Sequence, residues 1–482
     1  MAYKHGTYGE FAKSIGAVPI NSETTAVYVG TAPVNLLRGY SAAVNAPIKI
    51  SNLTEAQEKL GYSKDWNSFT LCEAMEAHFN NVLGNVGPVV FINVLDPATH
   101  KKLQSKTESL TFVNGQAKIK SDTIILDTLA LADKVEGTDY TVSYDFAAGT
   151  AVISSTTITE AVEATYSEVD TSAVENSDVV GQATSAGVYK GLGVIQLIYP
   201  ELGLITNIIA APKFSAVKEV YKAMVNAATK INGHWDAFVN ADISITDTDT
   251  IAKAIDAKAT NEMVAERSKA YWPMWKTAGG DIYHLSTLAT KAMLEIDTEH
   301  DTVPMESCSN KQIISGKQYF GASSTNKGFD QQTANQLNEK GITTAVFWGG
   351  INVLWGPHTA AYDNGVITDN RVIFDNSIRT MMHVTNSFQR EWGMEIDKPM
   401  TKALAETIKN REQEKVDALK AMGALIGDPV VEFNESDNTT DDMVQGNFTW
   451  SNKQTPTPPF KSGTLKVAYT TAGFAAEYGG EA

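Results

Sequence analysis

A pair of adjacent glycines between two apolar runs constrains this chain more than any other feature. Residues 341–359 read Gly-Ile-Thr-Thr-Ala-Val-Phe-Trp-Gly-Gly-Ile-Asn-Val-Leu-Trp-Gly-Pro-His-Thr. The runs Ile342–Trp348 and Ile351–Trp355 flank Gly349-Gly350, which predicts two strands joined by a tight bend. Just before them, Asn335-Gln-Leu-Asn-Glu-Lys-Gly341 has the form of a helix end stopped by glycine.

The N-terminal side supplies the layer pattern around this stretch. Residues 1–22 are polar and small, with Tyr3, Tyr8, Phe11 and Ile15 as regularly placed apolar anchors. Thr24–Gly30 and Pro47–Ile50 are predicted strands. Thr54 with Gln57 has the form of a capping box for a helix ending near Gly61. A longer helix is expected from Ser68 to Gly84, with Phe69, Cys72, Met75, Phe79 and Val82 on one face. Pro88–Leu95 is a nearly continuous apolar strand of the kind buried on both faces, so strand, helix and strand make an α/β unit.

The pattern changes near residue 101. Short β-like runs at 110–113, 123–126, 140–146, 151–154 and 161–166 are parted by Asn114-Gly115, Glu136-Gly137 and Ala148-Gly149. Acidic residues outnumber basic ones there, which reads as a small acidic all-β insert with a solvated exterior. The α/β pattern then resumes with a helix over 187–198 and a strand over 205–211. Ser215 caps a helix carrying Val217, Val220, Tyr221, Met224, Ala228 and Ile231, stopped by Gly233. A strand at 235–239, a helix from Asp249 and a strand at 270–275 interrupted by Pro273 follow. One discontinuous α/β domain hosting a β insert accounts for this order.

Beyond the glycine pair, Asp375 caps a helix bearing Ile378, Met381, Met382, Thr385, Phe388 and Trp392. A second helix, 402–422, is charged on most faces, with Leu404, Ile408, Val416 and Leu419 along the remaining stripe. A strand is expected at Phe448–Trp450 after a polar, acidic connection over 434–442. A proline-broken linker, Thr455–Pro459, leads to Leu465-Lys-Val-Ala-Tyr469 in period-two alternation. Such an isolated strand needs a sheet edge for its backbone groups, in its own subunit or in a neighbour.

Composition narrows the function. With 39 Lys+Arg against 56 Asp+Glu the net charge is −17, which argues against nucleic-acid binding. No segment approaches the ~20 apolar residues of a membrane span, and the N-terminus has no apolar signal core, so folding in the cytoplasm is expected. Cys72 and Cys308 lack metal-ligand spacing, and Cys72 reads as a buried free thiol. No phosphate-cradling glycine loop, HExxH helix or Cys/His cluster appears, so no catalytic, cofactor or metal residue is expected. Asp247-Thr-Asp249 lacks the glycine and distal Glu of a calcium loop. Ser215-Ala-Val-Lys218, Ser436-Asp-Asn438 and Lys461-Ser-Gly463 mimic the boxes of penicillin-recognising serine enzymes, but only a short stretch separates the last two. A glycan- or receptor-binding insert is the other alternative, with Tyr140, Tyr144, Phe146 and Tyr166 as its aromatic residues.

Taken together, Leu-Asn-x-x-Gly-Ile-Thr running into Trp-Gly-x-x-Thr resembles the core of contractile-tail sheath proteins, which form the outer tube of contractile phage tails and phage-tail-like bacteriocins. The resemblance implies a multidomain α/β (α+β) fold: a discontinuous subtilisin-like sheath core, an inserted small all-β domain facing outward, and extended terminal arms. The corresponding division is an N-terminal arm 1–22, a core in two parts (23–100 and 179–345), an insert 101–178, a C-terminal sheath domain 346–455 and a C-terminal arm 456–482. It also implies a non-enzymatic subunit polymerising helically, in sixfold rings, around an inner tube, with baseplate and tail terminator proteins as further partners. The expected arm contacts are Tyr3, Tyr8, Phe11, Leu465, Val467 and Tyr469. The expected tube-facing cations are Lys402, Lys409, Arg411 and Lys415. Pro357-His358 stands where the family frequently has Asn-Arg.

Overall fold

The computed structural model describes residues 24–479, except 185 and 368. Its frame is an eight-stranded sheet, and the order of its elements follows the alternation of apolar runs and amphipathic helices. The first strands are β1 (Thr25–Gly30), β2 (Pro47–Ile50) and β3 (Val89–Asn93), with helices α1 (Leu53–Leu60) and α2 (Leu71–Phe79) between the last two. Residues 106–166 hold β4 (Lys106–Leu110), β5 (Gln116–Lys120), β6 (Ala130–Leu131), β7 (Thr141–Asp145), β8 (Thr150–Ser154) and β9 (Val162–Tyr166). The chain returns through α3 (Asn176–Val180), the short pair β10 (Gln182–Ala183) and β11 (Tyr189–Lys190), and α4 (Ile195–Leu202). Then β12 (Thr206–Ala210), α5 (Lys218–Ala227), β13 (Phe238–Asp242), α6 (Ile251–Thr260) and β14 (Ser268–Tyr271) alternate. A small antiparallel sheet of β15 (Met274–Thr277), β16 (Ile282–Tyr283) and β17 (Gly316–Tyr319) is interleaved with α7 (Leu285–Glu299). The remainder is α8 (Gln331–Asn338), β18 (Ile342–Trp348), β19 (Ile351–Trp355), α9 (Asp375–Trp392), α10 (Lys402–Ala421), β20 (Leu425–Glu432), α11 (Thr440–Val444), β21 (Ser451–Pro456) and α12 (Ala472–Tyr478).

The large sheet runs β2-β3-β1-β12-β13-β14-β18-β19. Its middle strands are parallel, and only the outermost, β2 and β19, pair antiparallel to their neighbours. All residues of β1, β3, β13 and β14 are buried, because helices cover both faces. Ala26, Tyr28, Phe91 and Phe238 face one core with α2 and α7, whereas Val27, Val29, Val90 and Val239 face the other with α4, α5 and α6. This alternation is the period of a strand buried on two sides.

The strands of residues 106–166 form two three-stranded antiparallel sheets, β4-β9-β6 and β5-β8-β7, around their own apolar cluster. A loop of the main body plugs that cluster: Leu36 is 2% exposed within it. Beside it, the Asn35 amide donates to the carbonyls of Asp122 and Ile124, and Arg38 donates to the Leu126 carbonyl at 2.7 Å.

Several expected boundaries move, each for a local reason. The first helix is capped by Asn52, whose side chain accepts from Glu55 N, and not by the Thr54–Gln57 box. The helix expected to run to Gly84 stops at Phe79; Asn81 Oδ1 accepts from Leu83 N, a local turn that competes with helix, and Val82 is exposed. The helix expected at 187–198 begins only at Ile195, after a 3-10 turn at Gly191–Val194. Ser215 is no cap: its hydroxyl accepts from Asp242 N at 3.0 Å, and α5 starts at Lys218. The strand placed at 235–239 lies at Phe238–Asp242, and the helix expected from Asp249 starts at Ile251 with Thr250 as cap. The run at 270–275 is two strands of different sheets, parted at Pro273. In the β region the strand at 110–113 lies earlier, at Lys106–Leu110, and Gln116–Lys120 is a further strand. Residues 123–126 make no named strand: Asn35 takes the Ile124 carbonyl, and the stretch pairs only through the isolated bridge Ile124↔Glu168. Phe448–Trp450 precedes a strand at Ser451–Pro456 and is not one itself.

Candidate functional site

The residues expected to act belong to the charged helix and the terminal segments, and the glycine hairpin that carries the resemblance borders a cleft. In the hairpin, Gly349 and Gly350 take φ of 61° and 90°, values open to glycine without strain, and β18 pairs with β19 from Thr344↔Trp355 to Trp348↔Ile351. Only Ile342 and Thr343 of β18 pair with β14, so the rest of the hairpin projects past the sheet. Its tip is apolar: Phe347 is 68% exposed, Trp348 50% and Ile351 41%. Trp348 packs on Trp355 with ring centroids 5.8 Å apart.

The base of the hairpin opens on a cleft of about 710 Å³ bordered by Trp355, His358, Tyr362, Asn335 and Phe460. His358 stacks on Tyr362 at 3.6 Å with rings 2° from parallel. Burial pushes its imidazole down to about 4, so it is neutral and offers no substitute for an arginine charge. The charge at this junction lies deeper. Lys269, in the middle of β14, donates to Asp375 Oδ2 at 2.7 Å and to the His358 carbonyl at 3.1 Å, and both charged side chains are buried. On the next turn Arg379 pairs with the buried Asp297 of α7. These pairs fasten α9 to the sheet body, so its buried face is polar, with Asn376, Arg379, Thr380 and Asn386. Of the expected stripe only Met382 is buried. A lone lysine in the apolar run Ala-Tyr-Trp was the available signal for Lys269; nothing local pointed to its partner.

On α10 the stripe is Ala405, Ile408, Glu412, Val416 and Leu419, with Leu404 half-buried. Trp392 Nε1 and Lys415 both donate to Glu412 Oε1, which explains a buried glutamate there. Of the four expected tube-facing cations, Lys402 is exposed. Lys409 pairs with Glu406 at 2.6 Å, Arg411 with Glu414 at 3.1 Å, and Lys415 with both Glu391 and Glu412.

The C-terminal segment differs from expectation within the subunit. Leu465, Val467 and Tyr469 are 88%, 84% and 82% exposed and form no strand in this chain, and a short helix, α12, follows. Tyr3, Tyr8 and Phe11 lie outside the described residues.

Among the described residues, the boxes that mimic a serine enzyme do not assemble into a site. Ser215 is buried against Asp242, which also accepts from Ser286 N at 3.0 Å. Burial alone would depress the nearby His284, but the Glu73 carboxylate, 2.7 Å away, outweighs it and holds the imidazole at about 9. A histidine kept protonated cannot take a proton from serine. Asn438 is occupied by the carbonyls of Asn434 and Thr449. Cys72 and Cys308 are buried free thiols, both pushed up to about 12 by burial. Among the described residues no His/Cys/Asp/Glu group could hold a metal, and no helix is long and apolar enough to cross a membrane.

No protein-family model matches the chain. Individual relatives do. The chain is 26% identical over 485 residues to the tail sheath protein of Burkholderia phage BcepMu, covering 97% of each. It is 24% identical over 305 residues to the tail sheath protein of Escherichia phage P2, covering 61% of this chain and 71% of that one. Among solved structures, a chain of the anti-feeding prophage baseplate matches with a TM-score of 0.56 at 13% identity, covering 98% of this chain and all of that one (100%). The sheath complex of the PVC extracellular contractile injection system in its contracted state gives 0.55 at 11% identity, over 98% and 99%. The sheath tail protein of Desulfitobacterium hafniense gives 0.52 at 11% identity, over 94% and 100%. Similarity in sequence along nearly the whole length, joined to a shared fold, supports a contractile tail sheath family for this chain.

Proposed function

We propose that this chain is the repeating subunit of a contractile sheath that polymerises helically around an inner tube and shortens to drive that tube through a target cell envelope. The observation carrying this reading is the similarity to a phage tail sheath protein over 97% of both chains. In this reading 23–100 and 179–345 form a subtilisin-like core, 101–178 an outward-facing β insert and 346–455 the C-terminal sheath domain. The partners are other copies in sixfold rings, the tube protein, and the baseplate and tail terminator proteins. Assembly takes place in the bacterial cytoplasm, and the product is a virion tail or a released phage-tail-like particle.

The arms, 1–22 and 456–482, link neighbours by strand addition. Leu465, Val467 and Tyr469 support this, because an alternating apolar segment left exposed and unpaired in its own subunit still lacks partners for its backbone groups. On α10, Lys402, Lys409, Arg411 and Lys415 face acidic residues of the tube; contacts that must release on contraction are expected to be weak and salt-sensitive. The role is mechanical, with the free energy of shortening supplied by new contacts between subunits.

Negative-stain electron microscopy of the purified protein, alone and with its tube protein, tests the reading. Hollow helical tubes or stacked rings are the expected result; monodisperse particles under every salt condition would overturn it.

A further inference from the structure

The first turns of α9 carry polar residues at i, i+1, i+4 and i+5: Asp375, Asn376, Arg379 and Thr380. That spacing puts all four on one helix face, and the face is buried. Each of them reaches the same stretch of chain, residues 297–307. Ser307 Oγ donates to Asp375 Oδ2 at 3.0 Å, Asn376 Nδ2 to the Met305 carbonyl at 2.9 Å and Thr380 Oγ1 to the Pro304 carbonyl at 3.2 Å, while Arg379 pairs with Asp297. A buried polar seam of this kind admits one arrangement, because any other leaves charges or amides without partners.

Two chain exits are fastened to this seam. Where the chain enters β1, Thr24 Oγ1 donates to Asp297 Oδ2 at 2.9 Å, the oxygen that Arg379 also holds, and Thr25 N donates to Asn207 Oδ1 at 2.9 Å. Where the chain leaves β21, the Thr457 carbonyl accepts from Asn376 Nδ2 at 3.0 Å. Thr457 N donates to the Ala424 carbonyl at 3.0 Å and its hydroxyl to the Gly423 carbonyl at 2.7 Å, and residues 461–474 beyond are exposed. Far apart in sequence, the two exits therefore meet on residues one turn apart in a single helix.

We propose that this turn of α9 couples the two exits, with Asn376 and Arg379 as positioning residues, so that loosening one exit loosens the other. Coupling needs an element that both sites bias, and a helix turn pinned by buried ion pairs moves as a unit or not at all. Where the terminal segments act as arms, a pull on one reaches the other through a single helix turn and not across the sheet. The inference rests on the arm reading only for what does the pulling, and the coupling is measured in the unassembled subunit, apart from tube formation.

Amide hydrogen exchange in the full chain, resolved to single residues by mass spectrometry with electron-transfer fragmentation, tests it. Thr24→Val deletes the hydroxyl at the first exit with little change in volume. Exchange at Thr25 N–H is expected to quicken by about five-fold, the worth of one hydrogen bond, and at the remote Thr457 N–H by about two-fold or more. The amides of Tyr221 and Met224, buried in α5, are expected to keep the parent rate. Thr24→Ser keeps the hydroxyl and is expected to restore both exits. Asn376→Ala is expected to act in the reverse direction, most at Thr457 and measurably at Thr25, since coupling between two sites is reciprocal. Faster exchange confined to the altered exit, an equal acceleration in α5, or a Thr457 amide that Thr24→Ser leaves fast would overturn the proposal.

Discussion

Lys269 and Asp375 face each other 2.7 Å apart, with side chains 0% and 1% exposed. Leaving either charge alone in that interior is costly, so Asp375→Ala is expected to destabilise the subunit by about 3–5 kcal/mol, read as a fall in thermal unfolding temperature. Replacing both by apolar residues, Lys269→Met with Asp375→Leu, is expected to recover most of that loss. Lys258 makes a second test. Its ammonium donates to the carbonyls of Lys340 and Ala360, each at 2.6 Å, clamping both feet of the hairpin, and burial holds its pKa down at about 8. In the unfolded chain the same group titrates near ~10.4. Between these values the unfolded state binds the extra proton, so this residue makes stability rise with pH by up to ~1.4 kcal/mol per unit from about 8 to ~10.4. Unfolding of Lys258→Met across that range is expected to lack this slope relative to the parent. His284 has the opposite sign. Its raised value of about 9 gives stability that is complete below ~6.5 and lost as pH climbs through 9, and Glu73→Gln is expected to flatten that limb of the pH–stability curve. These ionic residues were hardly legible in sequence. A lone Lys269 in an apolar strand hints at burial, but its partner lies 106 positions away and read as an ordinary helix cap.

Among the elements, the hairpin was legible to its end residues, because Gly349-Gly350 between apolar runs leaves few alternatives. That it leaves the sheet after two paired residues was not, since strand register is decided by packing between distant segments. Where it ends, Gly356 has φ 131°, and a Cβ built there would lie 2.7 Å from Asn338 Nδ2 and 3.2 Å from Thr343 Cα. Gly356→Ala is therefore expected to cost about 2 kcal/mol or more in thermal unfolding, through strain and overpacking together. Gly365→Ala, where φ is also positive but nothing lies within 4 Å, is the milder control. Helix α9 shows the limit of periodicity. An apolar stripe predicts which face turns inward, yet two buried ion pairs and the amides of Asn376 and Asn386 turn a polar face inward instead. Helix ends shifted wherever a side chain took local hydrogen bonds, as with Asn52 and Asn81.

In the whole molecule, the arm role proposed for the C-terminal segment is open to a truncation test. Among its described residues, 463–482 holds exposed side chains and no named strand, so on its removal the unfolding temperature is expected to stay within a few degrees of the parent, while tubes in electron micrographs are lost. Normal tubes from that truncated chain would remove the segment from the assembly mechanism. The sequence by itself determined the alternation of strand and helix, the interruption by short strands and its resumption, and the family resemblance of the glycine stretch. These depend on period and local turn chemistry, which a few neighbouring residues encode. Only the tertiary structure decided how the β strands of 106–166 dock, with Leu36 of the main body inserted into their cluster and the exposed Arg38 bonded to the Leu126 carbonyl, and which charges are buried to hold α9 against the sheet. Those contacts join residues far apart in the chain, and burial, which gives a lysine or an aspartate its energetic weight, exists only after the layers have closed.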